Sequence, residues 1–153
     1  MKSRTLDSRQ AINEIIHKCE VCHVGMVDAE NKPYVLPFNF GYEDGIIYLH
    51  SAPEGKKITI LEQNNNVCIA FSTDYVLRYQ HLEVACSWSM KYRSVLAYGR
   101  IEFIGDLVEK TRILNLIMQK YAGKEFAFNK PALVNVKVYK CVVERFEGKV
   151  YGY

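Results

Sequence analysis

The feature that most constrains the fold is a run of three predicted strands joined by very short turns. Residues 21–28, 33–42 and 46–51 each alternate apolar side chains with smaller or polar ones, which is the two-residue period of a strand. Only AENK and EDG lie between them. Turns this short join antiparallel neighbours, because parallel strands need a crossover of a dozen or more residues. The chain therefore builds on an antiparallel sheet.

The rest of the chain adds helices and further strands to this sheet. Apolar positions at helical spacing predict helices that start at Asp7 as N-cap, at Lys56, and at Val108, the last ending at Gly123. Alternation predicts further strands over residues 66–74, 91–106 and 132–153, with a bulge at Gly99 and a hairpin around Glu147-Gly148. Residues 75–90 give no clear pattern. Six strands in a single domain of residues 1–153 predict an α+β protein, mainly β, built on a small antiparallel barrel with flanking helices.

Charge and hydropathy exclude several classes of protein. A net charge of +3 is too small for a broad electrostatic grip on nucleic acid, so no nucleic-acid partner is expected. No apolar run approaches the ~20 residues that span a bilayer, so no membrane partner is expected. The basic N-terminus has no apolar segment behind it, which predicts a cytoplasmic protein whose five cysteines are free thiols.

The stretch CEVCH at residues 19–23 fits the attachment signature of c-type haem, and its first four letters fit a redox dithiol or half of a zinc site. Cys19, however, ends the apolar stripe of the first helix, and Cys22 alternates with His23 on the following strand. Thiols and imidazole that face different ways cannot gather around one macrocycle. We interpret the motif as a coincidence and expect no metal site. A redox or zinc protein using Cys19 and Cys22 stays as an open alternative.

The stretch His50-Ser51-Ala52-Pro53-Glu54-Gly55-Lys56-Lys57 runs from the end of a strand into a helix. A hydroxyl, two ammonium groups and the free amides of a helix N-terminus together suit a phosphate dianion. The alternative is an ordinary strand-to-helix turn with solvated lysines.

Two more stretches carry possible binding groups. In Lys91-Tyr92-Arg93-Ser94-Val95, alternation places Tyr92 and Ser94 on one face, so that one face could meet a ligand and the other a partner subunit. The alternative is an edge strand charged against aggregation. In Pro37-Phe38-Asn39-Phe40, the proline removes a ladder donor, which predicts an edge strand whose free backbone groups could hydrogen-bond a planar heterocycle. The alternative is a core strand that contains a proline.

Taken together, HSAPEGKK, ITILEQNNNVCIAFST and CSWSMKYRSVLAYGRIEFIGDLVEKTRILNLIMQKYAG resemble the FMN-binding split-barrel family related to pyridoxamine 5′-phosphate oxidase, in its nitroimidazole-resistance (NimA)-like branch. The resemblance extends over roughly residues 8–145. It implies a six-stranded antiparallel Greek-key split β-barrel and a homodimer with FMN in clefts between the subunits. The substrate motif for pyridoxamine phosphate is not recognisable, which argues against vitamin B6 synthesis.

The resemblance also assigns roles to the three stretches. It implies that His50, Ser51, Lys56 and Lys57 lie along the phosphate and ribityl side of FMN, and that Pro37, Phe38 and Asn39 border its ring. The site is completed, from the other subunit, by Tyr92, Arg93, Ser94 and Val95. His50 is the candidate proton donor.

Two functions follow from the resemblance. One is an FMN-dependent oxidoreductase that reduces a nitroaromatic or quinone-like small-molecule acceptor with a nicotinamide donor, NAD(P)H. The other is a non-catalytic flavin- or haem-binding protein for storage, sensing or delivery, because one fold can serve many reactions.

Overall fold

The computed structural model describes residues 2–153, in which eight strands and four α-helices are found. The helices are α1 (Arg9–Lys18), α2 (Lys56–Gln63), α3 (Leu107–Ala122) and α4 (Lys130–Val134), with a 3₁₀ turn at Ala85–Ser87. The strands are β1 (Ser3–Leu6), β2 (Cys22–Val27), β3 (Pro33–Phe38), β4 (Gly41–Glu43), β5 (Ile46–Ser51), β6 (Asn66–Arg78), β7 (Ser89–Ile104) and β8 (Lys137–Tyr151). No helix within these residues is both long enough and apolar enough to cross a membrane.

The strands form one antiparallel sheet, and its two edge strands are consecutive in the chain. The order is β3-β2-β6-β7-β8-β5-β4, with β1 paired to the C-terminal end of β8. β3 ends at Phe38 and β4 begins at Gly41, so the two edges lie at most about 11 Å apart where the chain connects them. A sheet whose edges are tied this closely must curl on itself. The predicted α+β split barrel with flanking helices is therefore confirmed.

The number of strands differs from the six predicted. β1 was not expected, and the predicted strand over residues 33–42 is divided into β3 and β4 at Asn39-Phe40. There the backbone N–H of Phe40 donates to the Tyr121 hydroxyl at 3.1 Å instead of to a strand. β3 is an edge strand, as Pro37 predicted.

The predicted hairpin around Glu147-Gly148 is wrong. β8 runs straight through these residues, which pair with Leu96 and Val95 of β7. Gly148 lies directly beside β1, where an added Cβ would come within 2.9 Å of the Leu6 Cβ. The glycine is needed for the close approach of two strands, not for a turn.

The barrel interior holds the main core, and α1 packs against it. Ile12, Ile15 and Ile16 of α1 are buried against the strands. The N-cap is Ser8, whose Oγ accepts a hydrogen bond from the N–H of Ala11, so the predicted cap at Asp7 was one residue early. The other predicted local features are confirmed, namely the bulge at Gly99 and the left-handed Gly123 that ends α3.

The outer face of β5 and β8 is covered by α3 and by the unpredicted α4. Ile113 and Ile117 of α3 form a second cluster with Tyr48 and Val138. Lys110 of α3 is buried, and its Nζ donates to the carbonyls of Leu133 (2.8 Å) and Val136 (2.9 Å). A lysine on the inner face of the helix thus fixes the segment that leads into β8.

Residues 75–90, which gave no prediction, form a hairpin that extends β6 and β7 beyond the barrel; we call it the arm. The backbone N–H of His81 donates to Ser87 Oγ at 3.1 Å, and Trp88 Nε1 donates to the carbonyl of Leu82 at 3.2 Å. The rings of Tyr79 and Trp88 stack with centroids 4.3 Å apart. The arm is therefore an ordered hairpin with its own hydrogen bonds.

Candidate functional site

The candidate site starts at the end of β5, where Ser51 meets the neighbouring strand β8. Tyr139 of β8 lies in the core, and its hydroxyl donates to Ser51 Oγ at 3.1 Å. Burial raises the pKa of Tyr139 to about 12, so the phenol stays protonated at neutral pH and remains a donor. The Ser51 hydroxyl also donates to the carbonyl of Ala52 at 3.0 Å, so these two contacts hold Ser51 Oγ in place.

Aromatic rings and two lysines surround this hydrogen bond. Tyr139 makes edge contacts with the rings of Phe38 (6.3 Å) and Phe103 (5.5 Å). The Lys57 ammonium lies 5.7 Å from the Phe38 ring centroid, and the Lys137 ammonium lies 4.6 Å from the Phe103 ring centroid. Lys56 lies farther out, 4.5 Å from the ring of Tyr34. We call the six central residues the Ser51 cluster: Phe38, Ser51, Lys57, Phe103, Lys137 and Tyr139.

The positive charge of the Ser51 cluster is not neutralised by the protein. Within residues 2–153, no carboxylate oxygen lies within 4.0 Å of the ammonium groups of Lys56, Lys57 or Lys137. The N-cap of α2 is Gly55, with φ at 127°, and it supplies no capping side chain for the first-turn amides. Ammonium groups, a hydroxyl and free helix amides at one place are the groups that bind a phosphate dianion.

His50 points away from this cluster. It neighbours Ser51 on β5, so the two side chains face opposite sides of the sheet. Its partner across the ladder is Val138, which belongs to the cluster under α3. Nδ1 of His50 is buried and has no hydrogen-bond partner among the described residues, and burial lowers the pKa of the imidazole. The neutral form of His50 therefore prevails at pH 7, and its side chain does not face the Ser51 cluster.

Of the predicted residues Pro37, Phe38 and Asn39, one belongs to the Ser51 cluster, namely Phe38. Phe38 is buried beside Lys57 and Tyr139, whereas Pro37 and Asn39 are exposed at the free edge of β3. Asn39 also borders a cleft of about 530 Å³ that is lined by Lys120 and Tyr121. Two of the three predicted stretches thus come together in space.

The third stretch, residues 91–95, is divided between two faces of β7. Val95 is fully buried in the core, so its side chain faces the barrel interior. Tyr92 and Ser94 lie on the opposite, outer face, where the ring of Tyr92 stacks on Tyr151 with centroids 5.8 Å apart. Tyr92 and Ser94 therefore face the outside of the barrel, on the side opposite Val95.

Arg93 is held by groups that the sequence did not indicate. Its Nη1 lies 2.8 Å from Oδ2 of Asp74, which also binds Nζ of Lys18 at 3.1 Å. The ring of Tyr153 lies 3.7 Å from the guanidinium of Arg93 and 3.7 Å from the ammonium of Lys91. Arg93 therefore ties β6, β7 and α1 together.

Residues 92–95 lie in the first part of β7, whereas Phe103 of the Ser51 cluster lies near its end. On β8, Tyr92 is opposite Tyr151 and Phe103 is opposite Tyr139. At about 3.3 Å per residue, these two positions are separated by roughly 35 Å along the strand. One copy of the chain does not bring the two sets of predicted residues into contact through this strand.

The cysteines of the CEVCH stretch are packing residues. Cys19 Sγ donates to the carbonyl of Ile15 at 3.2 Å, and burial raises the pKa of Cys22 to about 12. His23 is exposed on the other face of β2. In the described part of the chain, no group of three or more His, Cys, Asp or Glu side chains could hold a metal ion.

Sequence reasoning missed Phe103, Lys137 and Tyr139. The alternation of Lys137 and Tyr139 in a predicted strand placed them on one face, but nothing local indicated that this strand pairs with β5. Their role follows from the pairing of Ser51 with Lys137 and of Leu49 with Tyr139.

The chain is similar to a solved structure from Bacteroides thetaiotaomicron, a candidate 5-nitroimidazole antibiotic resistance protein. The two are 46% identical over 97% of this chain and 87% of that chain, with a TM-score of 0.88. No curated protein matches the chain.

More distant structures share the fold. A flavocytochrome from Azotobacter vinelandii is 21% identical, with a TM-score of 0.82 over 99% of this chain and 70% of that chain. An FAD- and haem-binding protein from Mycobacterium smegmatis is 16% identical, with a TM-score of 0.81 over 100% of this chain and 75% of that chain.

The family comparison covers almost the whole molecule. Residues 8–150, which include the Ser51 cluster and residues 91–95, match the family described as pyridoxamine 5′-phosphate oxidase. Together with the 46% identical relative, this match shows that the chain belongs to the pyridoxamine 5′-phosphate oxidase family, in its nitroimidazole-resistance-like branch.

Proposed function

We propose that the chain binds FMN, with the phosphate of the cofactor in the Ser51 cluster. The observation that carries this proposal is the pair Lys57 and Lys137, whose ammonium groups lie beside aromatic rings with no carboxylate near them. Ser51 and the uncapped N-terminus of α2 add the hydroxyl and amide donors. A dianion neutralises these charges and satisfies these donors at once, so the residues present fit the group.

The ring of the cofactor would lie along the free edge of β3. Pro37 has no backbone N–H to donate in this strand, and the ring of Phe38 lies next to Lys57. The exposed backbone and amide side chain of Asn39 would then hydrogen-bond the polar edge of the ring. Lys56, on the exposed face of α2, would contribute charge next to the phosphate.

We propose further that two copies form a homodimer and that each cofactor lies in the cleft between them. Tyr92 and Ser94 face outward and lie roughly 30–35 Å along β7 from Phe103, so we place them against the cluster of a second copy. Arg93 and Val95 would support this contact from the inner face of the same strand.

The reaction that we propose is the reduction of a nitroaromatic or quinone-like acceptor with NAD(P)H as the donor. A flavin held by the Ser51 cluster would supply two-electron transfer from such a donor to the acceptor, and this chemistry would be that of the cofactor. The description of the 46% identical relative favours a nitroaromatic acceptor. We assign no proton transfer to His50, because its imidazole is neutral and faces the side of β5 opposite Ser51.

The visible spectrum of the freshly purified protein tests the cofactor. We expect flavin absorption and, after denaturation, release of a ligand with the mass of FMN. Lys57→Gln combined with Lys137→Gln should lower flavin retention, and Lys130→Gln, at an exposed lysine of α4, is the matched control. A colourless protein that does not take up FMN would contradict the proposal.

Rapid mixing tests the reaction. NAD(P)H should bleach the bound flavin, and a nitroaromatic or a quinone should restore its colour. Stable flavin with no turnover over a broad acceptor panel would instead favour the non-catalytic function in storage, sensing or delivery.

A further inference from the structure

The arm carries an unusual share of the exposed apolar surface. Among residues 2–153, sixteen large hydrophobic side chains are exposed, and eight of them lie in the arm: Tyr75, Val76, Leu77, Tyr79, Leu82, Val84, Trp88 and Met90. The arm is only about a tenth of the chain. Exposed apolar side chains concentrated in one segment in this way indicate a site of protein association.

The arm is preformed for such an association. Its hydrogen bonds from His81 to Ser87 and from Trp88 to Leu82 hold the tip, and the Tyr79–Trp88 stack fixes the two largest rings. An ordered hairpin loses little conformational entropy when it docks.

The arm carries no net charge, so a positively charged surface does not repel it. Residues 75–90 contain one Arg and one Glu and therefore have no net charge. The Ser51 cluster has unneutralised lysines, so a neutral apolar arm can cover it without a repulsive cost that a basic segment would incur.

The position of the arm indicates that its partner is a second copy of the chain. The arm leads directly into Tyr92 and Ser94 on the outer face of β7, while the Ser51 cluster of the same chain lies roughly 35 Å farther along that strand. In a two-fold dimer, a contact between two different patches occurs twice, so each arm can reach the cluster of the other copy.

We infer that the arm of each copy packs over the Ser51 cluster of a second copy, and that Tyr79 and Trp88 cover the cofactor bound there. This inference rests on the proposed function and adds to it the docking element and the aromatic pair that closes the site. The arm excludes water from the cofactor and makes retention of the cofactor dependent on the dimer.

The first test changes the apolar surface of the arm. Leu77 and Leu82 are 58% and 61% exposed, so Leu77→Lys with Leu82→Lys should leave the fold intact. We expect a monomer by light scattering and a dissociation constant for FMN raised about tenfold or more. The control is Val108→Lys on α3, at a side chain that is 79% exposed outside the arm, and it should stay dimeric with unchanged affinity. An arm variant that remains a dimer with wild-type affinity would overturn the inference.

A second test uses the only tryptophan in the chain and does not weaken the dimer. A Trp88→Phe chain with an intact cluster is mixed and re-equilibrated with a Lys57→Gln, Lys137→Gln chain that keeps Trp88. Only in mixed dimers does a tryptophan lie over a cofactor site that can be filled. We expect added FMN to quench the tryptophan emission of the mixture by energy transfer.

The lysine variant alone, titrated with the same FMN, corrects for light absorbed by free flavin. Unchanged emission from a mixture that has bound FMN would show that Trp88 is not near the site of the other copy.

The failure of this inference can be told from the failure of the proposed function. Wild-type protein that takes up no FMN contradicts both the proposed cofactor and the covered site. Wild-type protein that binds FMN as a monomer, or as a dimer indifferent to the arm variants, contradicts only the inference about the arm.

Discussion

Tyr139 donates a hydrogen bond to Ser51 across the β5–β8 ladder, although 88 residues separate the two in the chain. Tyr139→Phe removes this donor while keeping the ring between Phe38 and Phe103. We expect a loss of about 0.5–1.5 kcal/mol in the free energy of unfolding, the usual range for one hydrogen bond, together with weaker flavin retention. Urea unfolding and FMN titration measure the two effects.

Tyr98→Phe is the matched control, because the Tyr98 hydroxyl contacts Glu147 at 3.4 Å, away from the cluster. Equal flavin affinity in Tyr139→Phe and Tyr98→Phe would show that the orientation of Ser51 does not matter for binding.

His50 should make the stability of the protein depend on pH in mildly acidic solution. Burial lowers its pKa below the ordinary 6.5, so the unfolded chain binds this proton more readily than the folded chain. The free energy of unfolding therefore falls as pH drops from about 6.5 to the folded-state pKa, and this contribution is constant above and below that window. His50→Gln should remove this part of the pH dependence in denaturant titrations between pH 5 and 8, whereas His23→Gln, at an exposed position, should keep it. An unchanged slope in His50→Gln would contradict the prediction.

Asp74 joins β6 to Arg93 and to Lys18 at the end of α1. Asp74→Asn tests its charge alone, because asparagine also tolerates the positive φ of 58° at this position. We expect destabilisation of about 1–2 kcal/mol, between the values usual for exposed ion pairs and for hydrogen bonds to charged groups. Thermal unfolding at low and high salt measures it, and the difference from wild type should shrink as salt screens the pair. A difference that does not respond to salt would point to packing instead of charge.

Gly99 lies at the β7 bulge in contact with β8. An added Cβ would overlap the carbonyl oxygen of Val142 and lie 2.8 Å from Cys141 Sγ, and both groups are fixed in the ladder. Gly99→Ala should therefore cost about 2–4 kcal/mol, as overpacking in a rigid core does. Gly105→Ala is the control, because nothing lies within 4 Å of its Cβ position, and it should change stability by less than about 0.5 kcal/mol. Similar unfolding midpoints for the two variants would contradict the geometry at the bulge.

Local patterns in the sequence predicted the elements that positioned the site, since alternation and turn residues act within a few neighbours. β5, α2 and the edge position of Pro37 follow from such patterns, and the structure confirms them. The hairpin at Glu147-Gly148 was wrong because a glycine required by a neighbouring strand looks like a turn residue in isolation.

What the sequence could not predict is which strand lies beside which. Lys137 and Tyr139 complete the cluster only because β8 pairs with β5 in a particular register. Alternation along β5 places His50 and Ser51 on opposite faces of the strand. The burial of His50 Nδ1, however, depends on residues that are distant in the chain. The ion pair between Asp74 and Arg93 depends on the shift in strand pairing between Thr73 and Val76.

β8 pairs with β1, β5 and β7, which all precede it in the chain. During synthesis these three strands leave the ribosome before residues 137–151 do, and each waits with an unsatisfied hydrogen-bonding edge. The nascent chain is therefore most exposed to misassembly, and most in need of a chaperone, just before its last strand emerges.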